Sequence, residues 1–102
     1  MGQGPQEGAL VARLRQGQGG AFDEVYVQYR ESVWRFLVRL SGRRDLAEDL
    51  FQETWLAAAK NAHRLREDSQ LLPWLYTIAR NKHRNAIRFR LLQRKREDEL
   101  CA

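Results

Sequence analysis

A leucine lies among acidic and amide residues at helical spacing in the segment 47–56, AEDLFQETWL. At about 100° per residue, one face of the helix carries Glu48, Asp49, Gln52, Glu53, Leu56 and Lys60. Carboxylates and an amide around an apolar residue suit an interface with a basic helical partner. A single exposed leucine is, however, ordinary on a protein surface. Both interpretations stay open at this point.

A second group of residues suits the binding of a polyanion. Arg80, Arg84 and Arg88 lie at i, i+4 and i+8, where like charges repel by a few tenths of a kcal/mol per pair. A phosphate backbone would turn that repulsion into attraction and release counterions. Asn81 and Asn85 lie beside these arginines and could donate and accept hydrogen bonds at base edges. The alternative is a solvated helix face.

Trp74 precedes these residues near the start of the same predicted helix. Its ring could stack on an unpaired base, an interaction worth roughly 1–3 kcal/mol, or it could be a core tryptophan. The convergence of aromatic, amide and guanidinium groups at one end of the helix favours nucleic-acid binding.

The remaining residues suggest neither catalysis nor a cofactor. His63 and His83 lie in different predicted elements, without a cysteine or second histidine at ligand spacing, so we expect no metal site. Glycine-rich phosphate loops and nucleophile–base pairs are missing from the sequence, so we expect no enzyme. Cys101 is the single cysteine, which indicates a reducing compartment. With no segment of membrane-spanning length and no signal peptide, we expect a cytoplasmic protein without membrane insertion.

Charge is unevenly distributed along the 102 residues, whose formal net charge is +5. Residues 1–59 hold seven Lys/Arg and eight Asp/Glu, whereas residues 60–96 hold eleven Lys/Arg and two acids. A basic cluster of this kind indicates a polyanionic partner, nucleic acid before membrane.

The apolar periodicity predicts an all-α fold, a compact bundle of about four helices. The predicted helices span 9–16, 21 to the glycine at 42, 45 to about 62, and about 71 to the charged end. Asp45 is the expected N-cap of the third helix, with Glu48 completing a capping box. A small break in the second helix is expected near 30–32, and residues 63–70 form a polar loop. Pro73 is tolerated in the first turn of the last helix.

Two sets of residues are predicted to face the core from the last two helices. They are Ala47, Leu50, Phe51, Thr54, Ala57 and Ala58 in the third helix, and Leu75, Ile78, Ala79, Ala86 and Phe89 in the fourth, with Trp74 at the edge.

The segments DLAEDLFQETWLAAAK (45–60) and PWLYTIARNKHRNAIR (73–88) together resemble region 2 of bacterial sigma factors of the extracytoplasmic-function (ECF) group. The upstream GGAFDEVYVQYRESVWRFLVRL (19–40) is similar to the first helices of that domain. AEDLxQE followed by WLxxIARN is a specific signature, and the resemblance covers about residues 9–92.

The resemblance implies that Asp49, Gln52, Glu53 and Leu56 dock on the coiled-coil clamp helices of the RNA polymerase β′ subunit. It also implies that the last helix and its preceding loop capture an unstacked base of the promoter −10 element on the non-template strand. The DNA-binding residues would be Arg64, Arg66, Asp68, Ser69, Trp74, Arg80, Asn81, Arg84, Asn85 and Arg88. An anti-sigma factor is a further expected partner.

Three segments are therefore predicted: a flexible N-terminus at 1–8, a region 2-like domain at 9–92, and the start of a linker or charged tail at 93–102. Such factors carry a second helical domain that reads the −35 element, and we expect these 102 residues to correspond to region 2 alone. Pro73 departs from the small or polar residue usual at that position in the family, which affects the expected shape of the base pocket.

Two alternatives remain beside a transcription-initiation domain. One is a sigma-like regulatory domain held by an anti-sigma factor, and the other is a general basic nucleic-acid-binding bundle.

Overall fold

Short connections separate four α-helices along the chain, which confirms the predicted all-α bundle. The structure is a computed structural model and describes residues 5–101. The helices are α1 Pro5–Arg15, α2 Ala21–Ser41, α3 Arg44–Asn61 and α4 Leu71–Cys101, and a 3₁₀ turn, Ala62–Arg64, follows α3.

Gly42 ends α2 where the sequence predicts. Its φ of 69° is in the left-handed region, and its N–H donates to the carbonyl of Val38 at 2.9 Å. Such a glycine satisfies one of the carbonyls that the end of a helix leaves without an intrahelical partner. The break predicted near 30–32 is wrong, because α2 continues as one helix through these residues. Its buried residues Val25, Val33 and Leu37 keep helical spacing on both sides of that point.

The predicted cap of α3 is also wrong. Arg43 is the N-cap, with extended backbone at φ −138°, so Asp45 lies inside the first turn. The Arg43 guanidinium donates to the Asp45 carboxylate at 2.7 Å and holds the pKa of that carboxyl below its usual value. A carboxylate in the first turn is also favoured by the helix dipole. Asp45 therefore contributes charge at the start of α3, and the capping box with Glu48 is not formed.

All four helices contribute to one hydrophobic core. Most of the core-facing residues predicted for α3 are buried, whereas Phe51 and Ala57 are half-buried. The buried apolar residues of α1 and α2 include Leu10, Val11, Leu14, Val25, Val33 and Leu37, and those of α3 and α4 include Leu46, Leu50, Trp55, Leu71, Leu75 and Ala79.

Two residues correct the predicted core. Trp55, not assigned to the core from periodicity, is only 6% exposed and contacts aromatic rings of α2. Phe89, predicted to face the core, is 61% exposed. The reason is length: α4 has 31 residues, whereas α2 and α3 have 21 and 18. The second half of α4 therefore has no neighbouring helix to cover its apolar stripe.

The part of α4 that extends beyond the other helices makes the molecule elongated. The described residues extend 59 Å along one axis and about 20 Å across, with a radius of gyration of 16.4 Å. A compact domain of this length would have a radius of gyration of about 13 Å. Residues 93–101 continue the helix with all their side chains exposed, so the predicted tail is helical within the described residues.

Residues 5–8, which the sequence placed in a flexible N-terminus, are helical and form the first part of α1; residues 1–4 lie outside the described residues. The Glu7 side chain bonds to both α2 and α4, which gives this end of α1 tertiary contacts. Within residues 5–101, no helix has the length and apolar composition needed to cross a membrane.

Candidate nucleic-acid and partner interfaces

The solvent side of α3 carries the four residues predicted for docking. Asp49, Gln52 and Glu53 are exposed, and Leu56 is 67% exposed among them. The opposite side of α3 is buried through Leu50, Thr54 and others. Packing thus presents the apolar and acidic residues together on one exposed face of α3.

An apolar groove lies next to this surface, between α2 and α3. It has a volume of about 380 Å³. Its lining residues are Phe22, Tyr26, Phe51, Gln52, Trp55, Leu56 and Ala59. Gln52 and Leu56 therefore belong both to the predicted docking face and to the groove, so the candidate partner surface extends onto α2.

Edge-to-face aromatic contacts hold the wall of the groove in place. The Trp55 ring lies 5.0 Å from Tyr26 and 5.9 Å from Phe22 between centroids, at interplanar angles of 72° and 83°. Perpendicular pairs of this kind are favoured by ring quadrupoles. The sequence did not lead us to predict that Phe22, Tyr26 and Trp55 line a groove, although aromatic residues at i, i+4 spacing, at 22 and 26 and at 51 and 55, indicate contacts between rings.

The exposed side of α4 carries the second predicted group. Arg80, Asn81, Arg84, Asn85 and Arg88 are all exposed. Arg84 donates a hydrogen bond to the Asn81 side-chain oxygen, so these two groups are already oriented together. Within residues 5–101, none of the three arginines forms an ion pair with a carboxylate. Their charge is therefore available to an anionic ligand.

Trp74 lies at the edge of the core. Its ring is half-buried and packs against buried residues, and its backbone N–H makes the first hydrogen bond of α4, to the Gln70 carbonyl at 3.2 Å. The Trp74 ring thus packs on the core and is partly open to solvent. Its stacking on a base stays a prediction.

The connection between α3 and α4 is a structured loop. Leu65 is buried and anchors it, while Arg64, Arg66 and Asp68 are exposed. The Ser69 hydroxyl accepts a hydrogen bond from the Arg66 backbone N–H at 2.8 Å, and the Ser69 N–H donates to the Arg66 carbonyl at 3.0 Å. Ser69 is half-buried and shapes this turn, whereas the two arginines and the aspartate project from it.

Glu7 connects α1 to this region and was not predicted as a site residue. One carboxylate oxygen accepts a hydrogen bond from the Tyr29 hydroxyl at 2.5 Å, and the other accepts one from the Leu71 N–H at 3.1 Å. Burial, together with this bond to Glu7, raises the pKa of Tyr29, which stays a neutral donor. Leu71 is the first residue of α4, so Glu7 binds the N-terminus of the helix that carries Trp74.

Comparison with known families identifies this arrangement. The model of sigma-70 region 2 matches residues 25–91. An RNA polymerase sigma factor of Myxococcus xanthus, CarQ, is 37% identical over 78 residues, which are 76% of this chain and 45% of that protein. The ECF RNA polymerase sigma factor SigM of Bacillus subtilis is 42% identical over 59 residues, 58% of this chain and 36% of that protein. The chain thus spans less than half the length of either relative.

A solved structure has the same fold. It is an NMR structure of an engineered region 2 of sigmaE in complex with GTAAAA. The TM-score is 0.72 at 26% sequence identity, and the alignment covers 92% of this chain and 97% of that one.

Proposed function

This chain belongs to the sigma-70 region 2 family, and on that premise we propose that it is a transcription-initiation domain with two binding surfaces. The surface on α3 docks on the clamp helices of the RNA polymerase β′ subunit. The surface on α4 and its preceding loop binds the promoter −10 element as unpaired non-template strand. A domain with these partners works in the bacterial cytoplasm, where promoters and polymerase are found.

The observation that carries this proposal is the exposed face of α4, where Asn81 and Asn85 lie among three arginines that pair with no carboxylate of residues 5–101. Guanidinium groups neutralise phosphates, and amides read base edges. Base edges become accessible on the Watson–Crick side only when the base leaves the duplex. The half-buried Trp74 at the start of this face offers a ring for stacking. The solved relative, an engineered region 2, was in complex with GTAAAA, which supports a nucleic-acid ligand for this chain.

The docking half of the proposal is supported by Leu56 and the apolar groove. Leu56 projects beside three polar side chains, and the groove next to it has aromatic walls. An apolar side chain of a partner helix can enter such a groove while its basic residues pair with Asp49 and Glu53. An anti-sigma factor, the other partner that the family resemblance implies, stays a prediction; the same groove would suit it.

The DNA half is tested with labelled oligonucleotides that contain GTAAAA, as single strand and as duplex at equal salt. We expect the single strand to bind more tightly, because stacking and edge readout both need an unstacked base. Asn81→Ala should reduce discrimination between −10 sequences by up to about 1–3 kcal/mol. Arg88→Ala should weaken all sequences about equally, since it removes a phosphate contact. Fluorescence anisotropy measures both.

Asn81→Ala and Arg88→Ala form a matched pair, because both side chains are exposed on one helix face and neither substitution disturbs the core. The same uniform loss from both variants would exclude base readout and leave a general basic nucleic-acid-binding bundle. Trp74→Ala is a poorer probe because its ring packs on the core.

A further inference from the structure

We propose that α1 positions the base-capture loop, with Glu7 as the positioning residue; this inference rests on the proposed single-strand binding by α4. Residues 5–15 lie outside the range 25–91 matched by the family model, so the match assigns them no role. The contacts that residues 5–15 make with the loop and with α4 indicate such a role.

Glu7 acts at the junction between the loop and α4. Its carboxylate accepts the Leu71 N–H, one of the donors that the first turn of a helix leaves unpaired. A negative charge at this end also interacts favourably with the helix dipole. The residue thus takes the place of a capping side chain, although it comes from a helix 64 residues earlier in the chain. Tyr29 holds the other carboxylate oxygen, which fixes the direction of the first.

The rest of α1 contacts the loop at other points. Arg15, at the end of α1, pairs with Glu67 in the loop at 3.6 Å. Leu14 is buried in the same core as Leu65, the anchor of the loop. α1 therefore bonds to the loop near its middle and at its end, while Arg64, Arg66 and Asp68, three of the proposed DNA-binding residues, remain exposed.

Holding the loop in one conformation matters because a mobile loop must be ordered when it binds, and that ordering weakens affinity. Loss of the Glu7 contacts should let Leu71 and the turn before it move. The position of the Trp74 ring should then become less well defined. The Glu7 contacts should contribute more to recognition of the unstacked base than to attraction of phosphates. Base recognition depends on the position of the side chains, whereas phosphate attraction depends mainly on charge. Docking through α3 should be unaffected, because the hydrogen bonds of the Glu7 side chain go to α2 and α4 and Glu7 does not line the apolar groove.

The test compares Glu7→Ala with Gln6→Ala, an exposed neighbour on α1. Anisotropy is measured with a single strand containing GTAAAA and with a scrambled strand of the same composition. For Glu7→Ala we expect about five-fold weaker binding to the GTAAAA strand, the scale of a lost helix cap, and unchanged binding to the scrambled strand. Glu7→Gln should fall between, since its amide keeps one acceptor oxygen. Gln6→Ala should behave as the unmodified chain.

Tyr29→Phe provides a second variant that keeps the ring and its packing but removes the hydroxyl that holds Glu7. It should lower the preference for the GTAAAA strand in the same direction and by less. Equal loss on both strands, or no loss from Glu7→Ala, would overturn the positioning role while leaving the proposed function standing. If the unmodified chain itself shows no preference for GTAAAA over the scrambled strand, the proposed function fails and the positioning role fails with it.

Discussion

Leu56 and Val27 are almost equally exposed, at 67% and 64%, but their surroundings differ. Leu56 lines the apolar groove, whose aromatic walls are set by contacts between α2 and α3. Val27 lies on α2 and is not part of that lining. At the scale of single residues, the neighbours of an apolar side chain determine whether it can serve as a binding anchor, because anchors act in pockets that exclude water.

The first prediction uses this difference. Leu56→Arg should weaken binding to a peptide of the β′ clamp coiled coil by more than about 1 kcal/mol, since it puts a charge where the bound partner would bury an apolar side chain. Val27→Arg, which adds the same charge at the same exposure, should change the affinity little. Isothermal titration calorimetry measures both, with circular dichroism as the check on folding. Equal effects of the two substitutions would remove Leu56 and the groove from the docking surface.

Two glycines show how the local backbone conformation determines whether substitution by alanine raises or lowers the stability of the fold. Gly42 follows the end of α2 with φ 69°, whereas Gly8 lies within α1 and has no positive φ. At neither position would an added Cβ meet an atom within 4 Å. Backbone conformation alone should therefore determine the outcome.

Gly42→Ala should lower the free energy of unfolding by about 1–2 kcal/mol, because an L-residue is strained in the left-handed region. Gly8→Ala should raise it by about 0.5–1 kcal/mol, because alanine loses less backbone entropy in a helix. For a domain of this size, 1 kcal/mol corresponds to roughly 4–8 °C in Tm. Thermal denaturation followed by circular dichroism measures the two shifts. A stabilising Gly42→Ala would contradict the left-handed end of α2.

The two proposed surfaces lie on different helices and share no residue. Arg30 belongs to the docking side, where its guanidinium lies 5.9 Å from the Tyr26 ring. Arg88 belongs to the exposed face of α4. Each contributes one unit to the net charge of +5. The distribution of charge, rather than its total, should decide how the domain meets DNA.

Duplex DNA should therefore bind weakly, through phosphate contacts of α4, and the affinity should fall with salt. Arg88→Ala should reduce the slope of log affinity against log salt by about 1. Arg30→Ala, with the same change in net charge, should leave the slope unchanged. Anisotropy titrations at several salt concentrations give the slopes. Equal reductions from both variants would mean that total charge governs binding, and tight sequence-specific duplex binding would contradict the proposed role of α4.

Local sequence determined which residues share a helix face. Asp49, Gln52, Glu53 and Leu56 are exposed together on α3, as their spacing predicted, and Gly42 ends α2. Both features depend on residues within a few positions of each other: the helical repeat for the face, and the freedom of glycine at positive φ for the end.

Tertiary structure decided which faces are covered and which distant groups meet. Trp55 is buried because Tyr26 and Phe22 of α2 pack against it. Phe89 is exposed because α4 is longer than the helices beside it. Glu7 reaches Leu71 across 64 positions of sequence. The apolar periodicity of a segment predicts the buried face of that helix alone. It does not predict the length or position of the helices that pack against this face. Contacts between helices form only in the folded bundle. The apolar groove and the hydrogen bond from Leu71 to Glu7 both depend on such contacts.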